Sequence, residues 1–251
     1  MPTWLAAGLW GLCGGGALVL GAAVAWSVHI PRRIIAGIMA FGAGVLISAL
    51  AFDLTQEAAD VGGILPTALG FAVGSAAYVA ANTVLDRAGA RHRKRSGDQQ
   101  PSEKDQDGSG TAIAVGALLD GIPESVVLGM SLIGGGGVSS AIIAAVFISN
   151  VPEGLSSAAG MKRAGRSATY VFGVWTTIAV VSGVAALLGY TLLGGTSPEV
   201  VAVITAVAAG AILTMLADTM IPEAFEEAHV LTGLITSAGF LTAFAITRAG
   251  G

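Results

Sequence analysis

Residues 168–193 read ATYVFGVWTTIAVVSGVAALLGYTLL and contain no charged side chain. A helix needs about 20 apolar residues to cross the hydrocarbon core of a bilayer, so this stretch is long enough to span a membrane. The stretch is rich in Ala, Leu and Gly, and it lacks the regular alternation of apolar and polar residues that a membrane strand requires. It therefore predicts a transmembrane helix.

The whole chain has the same character. Of its 251 residues 54% are apolar, 37 more are glycine, and only 11% are charged, against about 25% in a typical soluble domain. Composition argues against a soluble enzyme and a disordered chain, and the net charge of −4 argues against a nucleic-acid partner. The single cysteine, Cys13, excludes a disulfide scaffold. The chain is predicted to be a polytopic membrane protein of one domain, residues 1–251.

Eight apolar stretches of spanning length can be separated, and together they predict an all-α fold. They are Trp4–Trp26, Ile34–Glu57, Gly63–Leu85, Thr111–Ile133, Val138–Gly160, Ala168–Leu193, Pro198–Ile221 and Val230–Ile246. Eleven of the twelve Lys and Arg residues lie between spans 1 and 2, 3 and 4, or 5 and 6. The positive-inside rule then places both termini outside the cytoplasm of a bacterial-type inner membrane.

The only long connection is the polar stretch 86–110, which is predicted to be a disordered cytoplasmic loop. Its basic run RHRKR (91–95) is interpreted as a topology anchor, with contact to anionic lipid as the alternative. Two GxxxG pairs, Gly11/Gly15 and Gly70/Gly74, predict close helix packing.

Carboxylates inside the spans are the main functional signal. A charged residue at a helix centre costs about 2.5–3.5 kcal/mol to insert, and such residues usually face the interior of a bundle and serve function. Two hexapeptides concentrate them: DGIPES (120–125) in span 4 and SNVPEG (149–154) in span 5. Aligned on Pro-Glu, they place the oxygens of Asp120, Glu124, Ser149, Asn150 and Glu153 near the middle of the membrane.

A second internal repeat relates span 2 to span 7. Residues 43–58 (AGVLISALAFDLTQEA) align with residues 209–224 (AGAILTMLADTMIPEA). The two spans run in opposite directions, so the sequence predicts inverted repeats, helices 1–3 against 6–8 and helix 4 against helix 5, which are typical of transporters. Acids of the repeats are then expected at an outer entrance (Asp53, Glu57) and at a cytoplasmic exit (Asp218, Glu223 and the nearby His229).

Carboxylate, amide and hydroxyl oxygens suit a divalent cation, with a chain of proton-carrying acids as the second interpretation. An organic anion is disfavoured because the spans hold no Lys or Arg to receive it.

The Pro-Glu motifs resemble those of the ZIP family of divalent-metal transporters, whose HNxPEG-like motifs lie on helices 4 and 5. The resemblance implies eight helices, both termini outside, and transport by rocking of one bundle against another. Matched by position, Asp120 and Gly121 replace the motif His and Asn, while Glu124, Glu153 and Asn150 match metal ligands.

Three departures from the family pattern affect the choice of metal. The predicted core has no histidine, the 86–110 loop has one, and Ser182 stands roughly where some members carry a second-site Glu. Zn2+ stays the first choice of cargo from the resemblance. An oxygen-only site also admits Mn2+, Fe2+ or Cd2+.

Competing functions remain open at this stage. No GxGD pair, Ser/His dyad or HExxH is present in the spans, so the chain is not expected to be an enzyme. A proton-coupled carrier of a small solute and a non-transporting membrane metal sensor are the alternatives to metal transport. The lipid bilayer and divalent metal ions are the expected partners, and a homodimer is left open.

Overall fold

The computed structural model describes residues 1–102, 104–106, 108–133 and 140–249, with the backbone alone for residues 140 and 141. The described residues form helices, turns and connections, and none of them lies in a strand. Eight helices among them are long and apolar enough to cross a membrane. These helices are α1 (Thr3–Ser27), α2 (Arg32–Gly62), α3 (Ile64–Ala90), α4 (Ser109–Met130), α5 (Ser140–Arg163), α6 (Ala168–Leu193), α7 (Pro198–Ala228) and α8 (Leu231–Ala249).

The predicted all-α fold with eight apolar helices is thereby confirmed, although several helix ends differ by three residues or more, including that of α3, which reaches Ala90 instead of the predicted Leu85. Helices α2 and α7 each continue for several residues beyond the predicted Glu57 and Ile221.

The extension of α7 includes Pro222, which lies just after a π-helical segment. Each of the two helices ends just before a residue with positive φ, Gly63 (83°) after α2 and His229 (46°) after α7. The predicted start of the fifth span, at Val138, lies outside the described residues.

Three of the eight helices contain a π-helical segment: one covers Asp86–Ala90 at the end of α3, and the other two lie inside α2 and α7. In α2 the segment covers Leu50–Thr55, and in α7 it covers Leu216–Met220. Each of these two segments includes an aspartate, Asp53 or Asp218. Single π turns inside α-helices are rare and are often found at functional sites.

The helices pack through small residues. Helix α1 packs on α5 and α6, α2 on α8, α3 on α7, and α4 on α6. At Gly74 of α3, a Cβ atom would collide with the backbone carbonyl of Val207 in α7, and at Gly15 of α1 it would lie 2.6 Å from the Cα of Ala179 in α6. The two GxxxG pairs therefore do bring helices into backbone contact, as predicted.

Helices that follow one another in the chain run in opposite directions through the bundle, so the bundle has two ends. The termini end carries both chain termini, and the loop end carries the connection between α3 and α4. Part of that connection, residues 91–100, folds back between the helices, and we call it the inserted loop. Within it Arg93, Lys94, Ser96 and Gln100 are 1–4% exposed. The structure thus packs this segment of the predicted disordered loop against the bundle, where buried carboxylates compensate its charges.

Candidate functional site

Arg93 of the inserted loop reaches the predicted carboxylate site. Its Nε atom donates a hydrogen bond to Oδ2 of Asp120 on α4, and its Nη2 atom donates one to Oδ1 of the same carboxylate, both at 2.9 Å. Its Nη1 donates to the side-chain oxygen of Asn82 on α3 at 2.9 Å, and its Nη2 donates to the Tyr78 hydroxyl at 2.8 Å. That hydroxyl in turn donates to Asp120 at 2.6 Å. A paired, two-point contact of this kind is the strong form of an Arg–carboxylate interaction.

Lys94 lies between the two Pro-Glu motifs. Its Nζ atom is 2.9 Å from the Glu153 carboxylate and 3.3 Å from the Asp120 carboxylate. The side chains of Lys94, Asp120 and Glu153 are only 0–5% exposed. Neighbouring residues on the inserted loop therefore supply two cations to two buried acids.

Glu124 is the third acid of the site, and it has no cation of its own. It lies one helical turn after Asp120, on the same face of α4, and within electrostatic range of Glu153 and Lys94. Both of its carboxylate oxygens are buried and have no hydrogen-bond partner. Buried polar atoms are normally paired, so Glu124 is exceptional in this cluster because neither of its oxygens accepts a hydrogen bond.

Ser149 and Asn150, predicted to assist in binding, use their donors elsewhere. The Ser149 hydroxyl donates to the backbone carbonyl of Val146, one turn earlier in α5, at 3.0 Å. The Asn150 amide donates to the backbone carbonyl of Gly14 in α1 at 2.9 Å. The structure therefore brings together the three predicted acids. The Ser149 hydroxyl and the Asn150 amide instead donate to backbone carbonyls, within α5 and on α1 respectively.

A cavity of about 310 Å³ opens at the termini end of the bundle. Asp53 and Glu57 of α2, the predicted outer entrance, contribute to its walls. A much smaller cavity of about 20 Å³ lies next to Glu124 and shares Leu54, Val127 and Ile142 with the larger one. Apolar side chains therefore separate the open cavity from the buried acids.

At the loop end, Glu223 of α7 is tied to the inserted loop. One of its oxygens accepts the backbone N–H of Ser96 at 2.8 Å and the Ser156 hydroxyl at 3.0 Å. The other predicted exit residues are placed differently: Asp218 is exposed on α7, and His229 is exposed with its ring edge-on to Phe225. Of the predicted exit cluster, only Glu223 is part of the buried interior.

The sequence-based prediction missed the cations of the site and their partners. The expectation that no Lys or Arg lies inside the bundle is wrong, because Arg93 and Lys94 enter it from the loop. One signal was available: Tyr78, Asn82 and Asp86 recur every fourth residue on an otherwise apolar helix. All three contact Arg93, the last through an ion pair of 3.8 Å.

In the part of the chain that the structure describes, no group of three His, Cys, Asp or Glu side chains is arranged to hold a metal ion. Lys94 occupies the space between two of the predicted acids, Asp120 and Glu153. No protein-family model matches the sequence. No curated protein matches it either.

Proposed function

We propose that the chain is a transporter of a divalent transition-metal ion and that the cargo binds to Asp120, Glu124 and Glu153. The observation that carries this proposal is the position of the Lys94 ammonium group between Asp120 and Glu153. Asp120 and Glu153 thus already bind one positively charged group, the Lys94 ammonium, in the interior of the bundle. Buried acids inside a membrane bundle commonly mark an ion pathway.

The charges of the site favour a divalent cargo. Arg93 and Lys94 together contribute two positive charges against Asp120 and Glu153. A divalent cation that replaced them would leave the charge of the buried site unchanged, and Glu124 would supply a further oxygen. Zn2+ is the first choice because the Pro-Glu motifs resemble those of the ZIP family. An all-oxygen donor set also suits Mn2+ or Fe2+, and Cd2+ is kept as a further candidate.

An inverted repeat is part of the proposal, and the helix packing supports it. In the proposed repeat, helices α1, α2, α3 and α4 correspond to α6, α7, α8 and α5. The contact of α2 with α8 then corresponds to the contact of α7 with α3. Likewise, the contact of α1 with α5 corresponds to the contact of α6 with α4. The aligned glycines Gly44 and Gly210 make matching approaches, to the backbone carbonyls of Thr236 in α8 and of Phe71 in α3. The π segments of α2 and α7 also begin at aligned residues, Leu50 and Leu216.

The transport path follows from this arrangement and from the charge distribution of the connections. Cargo enters from the cavity that Asp53 and Glu57 line, which the positive-inside rule places outside the cytoplasm together with both termini. It reaches the acids after Leu54 and Val127 separate, and it leaves past Glu223 at the loop end. Alternating access of this kind is expected from two repeats that move against each other.

Metal flux into proteoliposomes tests the proposal, with Zn2+, Mn2+, Fe2+, Cd2+ and Mg2+ offered separately. The diagnostic variant is Glu124→Gln, because Glu124 has no partner that the change would leave unpaired. Glu153→Ala is less direct because it removes a partner of Lys94. Asp105→Asn, which alters an exposed acid that accepts hydrogen bonds from nearby Ser102, is the matched control.

We expect selective flux of a transition metal in the unmodified protein and in Asp105→Asn, and its loss in Glu124→Gln. Flux that survives unchanged in Glu124→Gln would contradict the site. Metal binding without flux for every ion would favour the sensor, and proton-dependent flux of a solute without metal would favour the proton-coupled carrier.

A further inference from the structure

We propose that the inserted loop is a tethered plug: Arg93 and Lys94 compete with the cargo cation for Asp120 and Glu153, and the loop closes the path at its end of the bundle until it is released. This inference rests on the proposed function. It adds a regulatory element, residues 91–100, that the same chain supplies.

The charged groups of Arg93 and Lys94 contact the acids that we assign to the cargo. The Lys94 ammonium group has two acidic partners, Asp120 and Glu153, and no further hydrogen-bond partner. Those acids are the residues that we assign to the cargo. A cation and Lys94 therefore cannot occupy the space between them at the same time.

The backbone of the inserted loop is bound at a defined position on α5, around Ser156 and Ser157, which we call the loop seat. The Gln100 side-chain amide donates to the backbone carbonyls of Arg93 at 3.1 Å, Arg95 at 3.0 Å and Ser157 of α5 at 3.0 Å. The Ser156 hydroxyl also lies 2.6 Å from the backbone carbonyl oxygen of Lys94, so its one hydrogen is shared between this carbonyl and Glu223. These bonds hold the loop in one register against α5, which fixes where its cations lie.

Two glycines make room for the seat. A Cβ atom at Gly160 of α5 would collide with the backbone carbonyl of Arg95 and with the Gln100 amide. At Gly116 of α4, a Cβ atom would lie 2.6 Å from Cδ of Arg93. Alanine at either position would push the loop outward without altering any charge of the site.

The loop also covers the proposed exit. Glu223 accepts the Ser96 backbone N–H, and Arg95 pairs with both Glu223 and Glu226 of α7. The exit acids are thus occupied by the loop, as the central acids are. The connection turns into and out of the bundle at two glycines of positive φ, Gly89 (105°) and Gly108 (75°).

Release of the loop lowers the concentration of metal needed for transport, because a ligand binds less tightly when only a fraction of the protein is competent to receive it. A cation in excess likewise shifts the population toward the released loop, since it binds that state preferentially.

The experiment measures access to the loop seat, independently of transport. Ser157, which is 1% exposed and whose hydroxyl has no hydrogen-bond partner, is replaced by Cys in a Cys13→Ala background, and its reaction with a soluble maleimide is timed. Gly160→Ala is the test variant and Gly116→Ala is the second one. Gly173→Ala, where a Cβ atom meets nothing within 4 Å, is the control.

We expect labelling about tenfold faster or more in both test variants, the population change that overpacking strain of this kind produces, and no change in Gly173→Ala. Adding the transported metal to the parent protein accelerates labelling, and this effect is lost in Glu124→Gln. Equal labelling of the test and control variants, or no response to metal, would overturn the proposal.

Flux separates failure of the plug from failure of the proposed function. If the parent transports metal, Gly160→Ala should transport faster at low metal concentration, and an unchanged rate would overturn the plug alone. If labelling changes as expected but neither the parent nor any variant transports metal, the proposed function fails and the regulatory inference fails with it.

Discussion

Removing the charge of Asp120 should destabilise the protein strongly. In Asp120→Asn, the buried Arg93 guanidinium loses a two-point ion pair and retains only neutral partners and Asp86 at 3.8 Å. Breaking a buried pair from one side costs about 3–5 kcal/mol, because the other charge stays buried without compensation. We therefore expect the free energy of unfolding to fall by up to that amount, and release of the inserted loop, which takes Arg93 out of the bundle, limits the loss.

The matched control is an exposed pair on the same loop. Asp98 lies 2.9 Å from Arg32, but its side chain is 76% exposed, and exposed pairs contribute about 0–1 kcal/mol. Asp98→Asn should therefore change stability little. Both variants are compared by reversible unfolding in mixed detergent and SDS micelles, with fluorescence of the buried Trp175 as the signal.

A double variant separates loss of the pair from other damage. Arg93→Met combined with Asp120→Leu removes both charges, and replacing a buried pair by apolar residues is often neutral or stabilising. The double variant should thus be more stable than Asp120→Asn alone. The reasoning is refuted if Asp120→Asn and Asp98→Asn lose equal stability, or if the effects of the two core substitutions simply add.

Three further outcomes are expected. Tyr78→Phe, which removes a hydroxyl shared by Arg93 and Asp120, should lower the free energy of unfolding by about 1.5–3 kcal/mol in the same micelle assay; a change below about 0.5 kcal/mol would contradict it. Glu57→Gln should raise the metal concentration for half-maximal flux while leaving the maximal rate nearly unchanged, since this acid lines the open cavity and not the buried site; loss of the maximal rate would argue against an entrance role. Gly74→Ala should destabilise the packing of α3 on α7, whereas Gly16→Ala, with nothing near its Cβ position, should not; equal unfolding curves would contradict the close approach.

The sequence was sufficient to predict an all-α fold of eight apolar helices because the signals are strong and local. Long apolar stretches predict the eight helices, and the spacing of Asp120, Glu124 and Glu153 predicts acids that meet inside the bundle. Backbone contact at Gly74 also follows from a local pattern, since small residues four apart form a flat surface on a helix.

The remaining parts of the site depend on contacts between residues far apart in the chain. A polar stretch such as 91–100 looks disordered when it is considered alone, because it cannot bury enough apolar surface to fold. In the structure the charges of this segment pair with acids on α4 and α5. Backbone carbonyls of the segment accept hydrogen bonds from the side chains of Ser156 and Gln100. Asn150 likewise finds its partner on α1, at Gly14, and no local pattern indicates that contact.

The most direct test of the account is to locate a bound metal by anomalous X-ray scattering from crystals grown with Zn2+. The account predicts a peak about 2.0–2.2 Å from carboxylate oxygens of Asp120, Glu124 and Glu153, with the Lys94 side chain displaced from between Asp120 and Glu153. A peak remote from these acids, or Lys94 still in place in crystals where zinc is bound, would contradict it.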